Sequence, residues 1–312
     1  MLKNELLANL AKDYYVNRLN LAELAEKYHI SRYLVNQALD KARQQGIVTF
    51  SIQSPTARNW NLENDLQQLS AIPNIYVLKD SNDAALNMDI LTRYAAQKIE
   101  EKLQHCHIVG TAWGSTVYNV ITKFERRSLP DLQFVQFIGE NMKYNSAVGS
   151  ARMVEYAANQ FSSNYSTLSG PLYILNDETR HGMLQEIATQ ETIKKAQRME
   201  MIFTGIGTLH SVKSIPIWWR NRQQIFAQVD LNQVAGMAYG RPYDINGHFL
   251  NPETDKTFGL DLETILQTPT RFGIIDSKFK VEALLGALRG KLFTHIITNE
   301  SVARRALYEL TK

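Results

Sequence analysis

A chain of 312 residues is longer than one small domain needs and suits a small unit beside one of roughly 200–250 residues. Hydrophobic residues make up 44% and charged residues 21%, which excludes extensive disorder, and a net charge of +3 is too mild to point to nucleic acid without a local motif. Cys106 stands alone, which excludes an internal disulfide and agrees with a reducing compartment, and no run of about 18 apolar residues is present to cross a membrane.

In chain order, Leu2, Leu6, Leu7, Leu10, Tyr14 and Val16 recur at helical spacing. Charged Lys3, Glu5, Lys12 and Asp13 interrupt them, so residues 2–19 predict an amphipathic helix rather than a signal peptide, and the expectation is a soluble, cytoplasmic protein. Asn20 offers a cap for a second helix over residues 21–28, with Leu21, Leu24, Ala25 and Tyr28 inward. Ser31 caps a third helix over residues 32–45, which Gly46 ends. A helix-turn-helix needs a small residue where its helices touch, an apolar lock, and a turn residue that tolerates positive φ. Ala25 is the small residue, Leu24, Ile30, Val35 and Ala38 form the lock, and His29 takes the turn position, where glycine is commoner.

With the third helix in a major groove, Ser31 stands at its start and Arg32, Tyr33, Asn36 and Gln37 face base edges, while Lys41 and Arg43 meet phosphates. Arginine can pair with a guanine edge, and Asn and Gln with adenine. Residues 1–54 hold seven Lys and Arg against five Asp and Glu, so one copy binds weakly and useful affinity calls for at least a dimer. A plain three-helix packing module with a solvated polar face stays open beside this reading.

Ile47-Val48-Thr49-Phe50-Ser51-Ile52 alternates apolar and polar residues and predicts a strand forming a wing. Ser54-Pro55-Thr56 breaks the pattern, which places the domain edge near Pro55: residues 1–55 as the helix-turn-helix domain and 56–312 as a second domain, opened by a helix at 60–69. Apolar runs at 75–78, 108–110, 134–138, 201–204, 272–275 and 295–298 then alternate with helical stretches at 84–104, 148–161, 179–196 and 280–288. Such alternation predicts an α/β domain with a mainly parallel sheet covered by helices.

The run at 108–110 leads into Gly110-Thr111-Ala112-Trp113-Gly114-Ser115-Thr116, followed by a helical stretch at 117–122. Strand, small-residue loop and helix form an anion site: glycines let amides approach an oxyanion, the helix start adds partial positive charge, and Ser115 and Thr116 donate hydroxyls. The loop has neither the lysine of a nucleoside-triphosphate loop nor the spacing of a dinucleotide fingerprint, so a monophosphate ester fits better. The bland reading is a tight turn holding no ligand. His105-Cys106-His107 puts neighbouring side chains on opposite sides of a strand entrance, a poor shared shell, so no metal or cofactor is expected. Gly205-Ile206-Gly207 is a sheet-edge turn near the ligand rather than a cofactor fingerprint, and Trp218-Trp219 is packing or a subunit contact.

Taken with the helix-turn-helix and the glycine-tryptophan-glycine loop, Pro171-Leu172-Tyr173, Gly205-Ile206-Gly207, Ala283-Leu284-Leu285-Gly286-Ala287-Leu288-Arg289-Gly290 and Ile297-Thr298-Asn299-Glu300 make the chain resemble the SorC family of sugar-responsive transcriptional regulators over almost its whole length. The resemblance implies a Rossmann-like effector domain akin to glucosamine-phosphate isomerase folds, a phosphorylated sugar or polyol as effector, operator DNA as partner, and a homotetramer without catalytic activity. Carried over by position, the effector-binding residues are Gly114, Ser115 and Thr116, with Gly110, Thr111 and Trp113 of the same loop, then Gly139, Asp244 and Lys280. The family pattern is departed from at Asp276 and Ser277, where a glycine pair is common, and at Arg152, where asparagine is common. Arg152 is either a second phosphate contact or part of a structural ion pair. The expected function is control of a carbohydrate-utilisation operon by linkage between DNA and effector binding. The rival is a sugar-phosphate isomerase or deaminase with an appended DNA-binding domain, which needs a placed acid and base, and the candidates Asp244, Glu140 and His210 are scattered.

Overall fold

The structure, a computed structural model, describes residues 4–48, 57–141 and 150–312, without the side chains of residues 150–152. The chain divides into two compact units, Met1–Pro55 and Thr56–Lys312.

The first unit packs α1 (Asn4–Tyr15), α2 (Leu21–Lys27) and α3 (Arg32–Gln44) around Leu7, Leu10, Leu24, Val35, Ala38 and Leu39. Asn20 accepts hydrogen bonds from the amides of Ala22 and Glu23 while the Glu23 carboxylate accepts the Asn20 amide, a reciprocal box that fixes the start of α2. Ser31 accepts the Leu34 amide at the start of α3. The turn between them places His29 at φ +54°, and Gly46 at φ +71° follows the end of α3. Helix α1 is shorter than the apolar spacing predicts. The chain turns off at Tyr15, with the Val16 and Asn17 amides both returning to the Lys12 carbonyl and Arg18 at φ +58°, so Val16 ends up 69% exposed instead of inward. Beneath that turn, Asp13 accepts hydrogen bonds from Lys27 Nζ at 2.6 Å, Tyr28 Oη at 2.7 Å and Asn17 Nδ2 at 2.8 Å, tying α1 to α2. Lys27 first, then Tyr28 and Asn17, hold its carboxyl down at about 2. The predicted wing strand at 47–52 and the edge at Pro55 fall from residue 49 onward outside the described residues.

The second unit carries a seven-stranded sheet in the order β1–β9–β8–β5–β2–β3–β4, parallel throughout, and a two-stranded antiparallel hairpin, β6–β7. The strands are β1 (Asn74–Leu78), β2 (Ile108–Thr111), β3 (Gln133–Gln136), β4 (Asn164–Ser166), β5 (Met201–Gly205), β6 (Gly236–Ala238), β7 (Arg241–Tyr243), β8 (Thr270–Ile274) and β9 (His295–Asn299). Their central members are apolar on both faces because helices cover both: Val135, Ile202 and Ile296 point into one core and Phe134, Phe203 and Ile297 into the other. Helices α4 (Trp60–Ser70), α9 (Ile187–Ala196), α14 (Val281–Arg289) and α15 (Glu300–Thr311) contribute to the first core, and α5 (Ala84–Leu103), α6 (Ser115–Ile121) and α7 (Ser150–Gln160) to the second. The single helical stretch expected at 179–196 is two helices, α8 (Asp177–Gln185) and α9, because Glu186 between them is extended at φ −62°, ψ 138°. Short helices α10 (Leu209–Lys213), α11 (Pro216–Arg220), α12 (Arg222–Ile225) and α13 (Leu262–Gln267) complete the unit.

Candidate functional site

From β2 the chain steps outward through β3 and β4, and from β5 it steps the other way through β8 and β9, so the winding reverses between β2 and β5. At such a reversal the loops leaving the carboxyl ends of the two strands diverge and open a crevice. A cavity of about 310 Å³ lies there, lined by the segment that leaves β2 (Ala112, Trp113, Gly114, Ser115, Thr116, Val117) and the one that leaves β5 (Ile206, Gly207, Thr208). That volume falls at the small-molecule end of the usual pocket range, roughly 300–1,000 Å³.

The loop after β2 delivers donors. Gly114, at φ +129°, is the residue before α6, and no atom stands within 4 Å of where a side chain would begin, so the glycine serves the backbone angle rather than a tight approach. Ser115 and Thr116 open α6, whose first amides have no partner within the helix. Thr116 lies beside β5, where a Cβ on Gly205 would make an ordinary contact with Thr116 Cβ at 3.5 Å. Trp113 is fixed by its Nε1 donating to the Gly139 carbonyl at 3.3 Å. Lys280, just before α14, reaches the same cavity, with its Nζ 3.8 Å from the Asp276 carboxylate. Trp113, Gly114, Ser115, Thr116 and Lys280 are therefore brought together as cavity lining.

Other residues named from the sequence are placed elsewhere. Gly110 lies inside β2, and a Cβ there would run into Met199 Sδ and approach Phe137 at 3.1 Å, so it is a packing glycine. Thr111 is fully buried, its hydroxyl donating to the Ala112 carbonyl. Gly139 is pressed on the backbone of Pro171, 2.5 Å from where its Cβ would stand, and supplies a carbonyl to Trp113 rather than a wall of the cavity. Asp244 is turned into its own turn: one carboxylate oxygen accepts the Asn246 amide at 2.9 Å and the His248 amide at 2.8 Å. Burial pushes its pKa up, and those amides outweigh burial and hold it below the usual carboxylate value. Arg152 lies in α7 with its side chain outside the described residues.

The second half of the cavity is less visible in the sequence. Gly207 pairs with Met237 through reciprocal amide-to-carbonyl bonds of 3.0 and 2.9 Å, which lays the β6–β7 hairpin against the loop after β5. Tyr239 and Gly240, both at positive φ, make its tight turn. Arg241 anchors the hairpin from a buried position, donating to Asp255 at 2.6 Å and to the Tyr239 and Leu260 carbonyls. Helix α10 brings His210, Ser211 and Val212 to the cavity and α11 brings Trp218, which packs at 5.7 Å from Trp113 and 5.0 Å from Tyr173. Trp218 is thus packing, as its sequence suggests, and also cavity wall. Among the described residues no Asp or Glu lines the cavity, and no group of His, Cys, Asp and Glu could hold a metal ion. Cys106 is part-buried, which pushes its thiol up to about 11, and the adjacent His107 and Ile108 amides are bound by Glu200, so this stretch clamps the entry to β2.

In the first unit, α3 buries Val35, Ala38, Leu39 and Ala42 and turns Arg32, Tyr33, Asn36 and Gln37 outward, an i, i+1, i+4, i+5 set that forms one face. Tyr33 is 74% exposed. The Ser31 hydroxyl is occupied as a cap, Lys41 is half-buried, and Arg43 pairs with Asp40 on the same helix at 2.5 Å.

Residues 54–308 match the family model described as "Putative sugar-binding domain". The chain is 24% identical to the transcriptional regulator LsrR of Enterobacter sp. (strain 638), over 98% of this chain and 93% of that protein. It is 24% identical to the sorbitol operon regulator of Klebsiella pneumoniae over 97% of each, and 22% identical to the deoxyribonucleoside regulator of Bacillus subtilis (strain 168) over 99% of each. The solved full-length sorbitol operon regulator SorC from Klebsiella pneumoniae has the same fold, with a TM-score of 0.80, 23% identity, and coverage of 98% of this chain and 99% of that one.

Proposed function

Since the chain belongs to the SorC family of sugar-binding transcriptional regulators, we propose that it is a DNA-binding regulator of a carbohydrate-utilisation operon, switched by a phosphorylated sugar or polyol in the cavity between β2 and β5. Residues 1–55 are the DNA-binding domain, with Arg32, Tyr33, Asn36 and Gln37 reading base edges and Lys41 and Arg43 on phosphates. Residues 56–312 are the effector and oligomerisation domain. The effector phosphate lies on the Ser115 and Thr116 hydroxyls and the amides that open α6, with Lys280 supplying the countercharge. The protein works in the cytoplasm as a homotetramer, whose paired reading helices offset the weak affinity of one copy.

The observation that carries this reading is the cavity at the winding reversal, with a helix start and the Lys280 ammonium both in its lining. A polar cradle of this kind binds an oxyanion without consuming it. Isomerisation of a sugar phosphate needs a base, most often a carboxylate, beside the carbon that loses its proton, and the described lining offers His210 but no Asp or Glu. That favours sensing over turnover.

The test is a thermal-shift screen of the full chain against phosphorylated sugars and polyols and their unphosphorylated parents. At least one phosphorylated compound raises Tm by mass action while its parent does not. A screen in which parents and phosphates are equally without effect contradicts the reading, and conversion of any compound by the protein would reinstate the enzyme.

A further inference from the structure

Resting on the sugar-phosphate reading of the cavity, we propose that it selects the ring-closed form of a sugar phosphate over open-chain polyol phosphates, with the apolar face of the ring against the Trp113–Trp218 wall. The lining is of two kinds. Ser115, Thr116 and Lys280, with Thr208, His210, Ser211 and Ser214 across the crevice, supply polar groups, whereas Trp113, Tyr173, Trp218, Met237 and Tyr239 supply rings and a thioether.

The aromatic wall is rigid. Trp113 and Trp218 pack with centroids 5.7 Å apart, Tyr173 sets its ring edge to Trp218 at 5.0 Å, and the Trp113 indole N–H is held by the Gly139 carbonyl. The tyrosines offer rings and not hydroxyls. Tyr173 donates to the Gly240 carbonyl at 2.6 Å and Tyr239 to the Leu292 carbonyl at 3.0 Å, and burial raises both phenols above their ordinary value, so they stay protonated. Acceptors for ligand hydroxyls are neutral side chains, Asn141, Thr204, Thr208, His210, Ser211 and Ser214, since no described lining residue is Asp or Glu, Asp244 is used by its own turn, and Asp276 faces Lys280.

These features discriminate between two shapes of ligand. A closed ring gathers axial C–H bonds on one face, and their slight positive charge suits the negative face of an indole. It also arrives with its carbon skeleton already ordered. An open chain carries a hydroxyl on every carbon and turns some of them toward any wall it meets, so an aromatic wall leaves them unpaired.

The experiment is calorimetry on the full chain with matched sets: glucose, mannose and galactose 6-phosphates and ribose 5-phosphate, each against the alditol phosphate of the same configuration, together with 1,5-anhydroglucitol 6-phosphate as a locked ring. The best-binding aldose phosphate binds at least ten-fold tighter than its alditol partner. In Trp113→Leu, shown by thermal melting to be folded, that ratio falls toward one, and Trp113→Phe keeps most of it. An alditol phosphate that binds as well as its aldose overturns the ring selection while leaving the sugar-phosphate reading standing, as does a ratio unchanged in folded Trp113→Leu. Binding by none of the phosphates overturns both.

Discussion

Two turns of the second unit carry residues that look alike in the sequence and are used in opposite ways. The loop after β2 leaves its polar groups open: Gly114 has free space beside it, and Ser115 and Thr116 face the cavity. The turn after β7 consumes its own: the Asp244 carboxylate is taken by the Asn246 and His248 amides, and Gly247 is pressed on Gly286 of α14 and on Gly290 at its end. A polar side chain serves a ligand only when the neighbouring backbone has not already satisfied it, and a glycine can mark either an opening or a close approach.

The largest expected effect sharpens that contrast between glycines. A Cβ on Gly286 meets the Asp244 carbonyl and the Tyr243 ring, so Gly286→Leu costs the second unit roughly 3 kcal/mol or more in a denaturant titration. Gly114→Ala, strained only through its φ, costs about 1 kcal/mol. Next comes a crossed pair. Lys280→Ala weakens the effector by about 10–100-fold, or about 1.5–3 kcal/mol, with the melting temperature of the free protein unchanged. Asp244→Ala does the reverse, removing about 1–2 kcal/mol of stability through two orphaned amides while effector affinity holds. An Asp244→Ala protein of normal stability that no longer binds effector would break the comparison.

A smaller effect separates the first unit from the second. Arg32→Ala lowers affinity for the preferred DNA sequence by about 1–3 kcal/mol and relaxes the choice at one base pair, without touching effector affinity or melting. The smallest is a pH effect on the clamp between α1 and α2. The folded carboxyl of Asp13 sits at about 2 against an ordinary value of 3.8, so its stabilisation is complete above the unfolded value and is lost as pH falls through about 2. Urea melts of the wild type followed by circular dichroism between pH 5 and pH 2 should show this slope, and Asp13→Ala should flatten it.

The sequence made the central strands legible because burial on both faces produces consecutive apolar residues, as in Met201, Ile202 and Phe203 or Ile296 and Ile297. Asn164–Ser166 escaped notice, being a three-residue edge strand with exposed side chains, and the Gly236–Tyr243 hairpin, which carries Pro242, stood out only within the family resemblance and not as strands. Caps in the first unit were legible because Asn20, Glu23 and Ser31 act within a few residues of themselves. Half of the cavity was legible for the same reason: the loop from Trp113 to Thr116 is one continuous string. The other half depends on β5 standing next to β2, and no local pattern encodes which strand is whose neighbour. Tyr239 and Met237 therefore gave no sign of lining a cavity, His210 entered only as an isolated candidate, and Asp244 looked available because the string hides the two amides that occupy it.

Linkage between effector binding and DNA binding is the property a regulator of this kind must have. With DNA selected from a random library by the protein itself as the probe, fluorescence anisotropy should be measured for wild type and Lys280→Ala across a titration of the phosphorylated sugar that most raises the melting temperature. The sugar should shift wild-type DNA affinity by about 5–150-fold, in either direction, and Lys280→Ala should bind the same DNA with the same affinity but need far more sugar for that shift. DNA affinity that is indifferent to a sugar phosphate bound in the cavity would contradict the linkage.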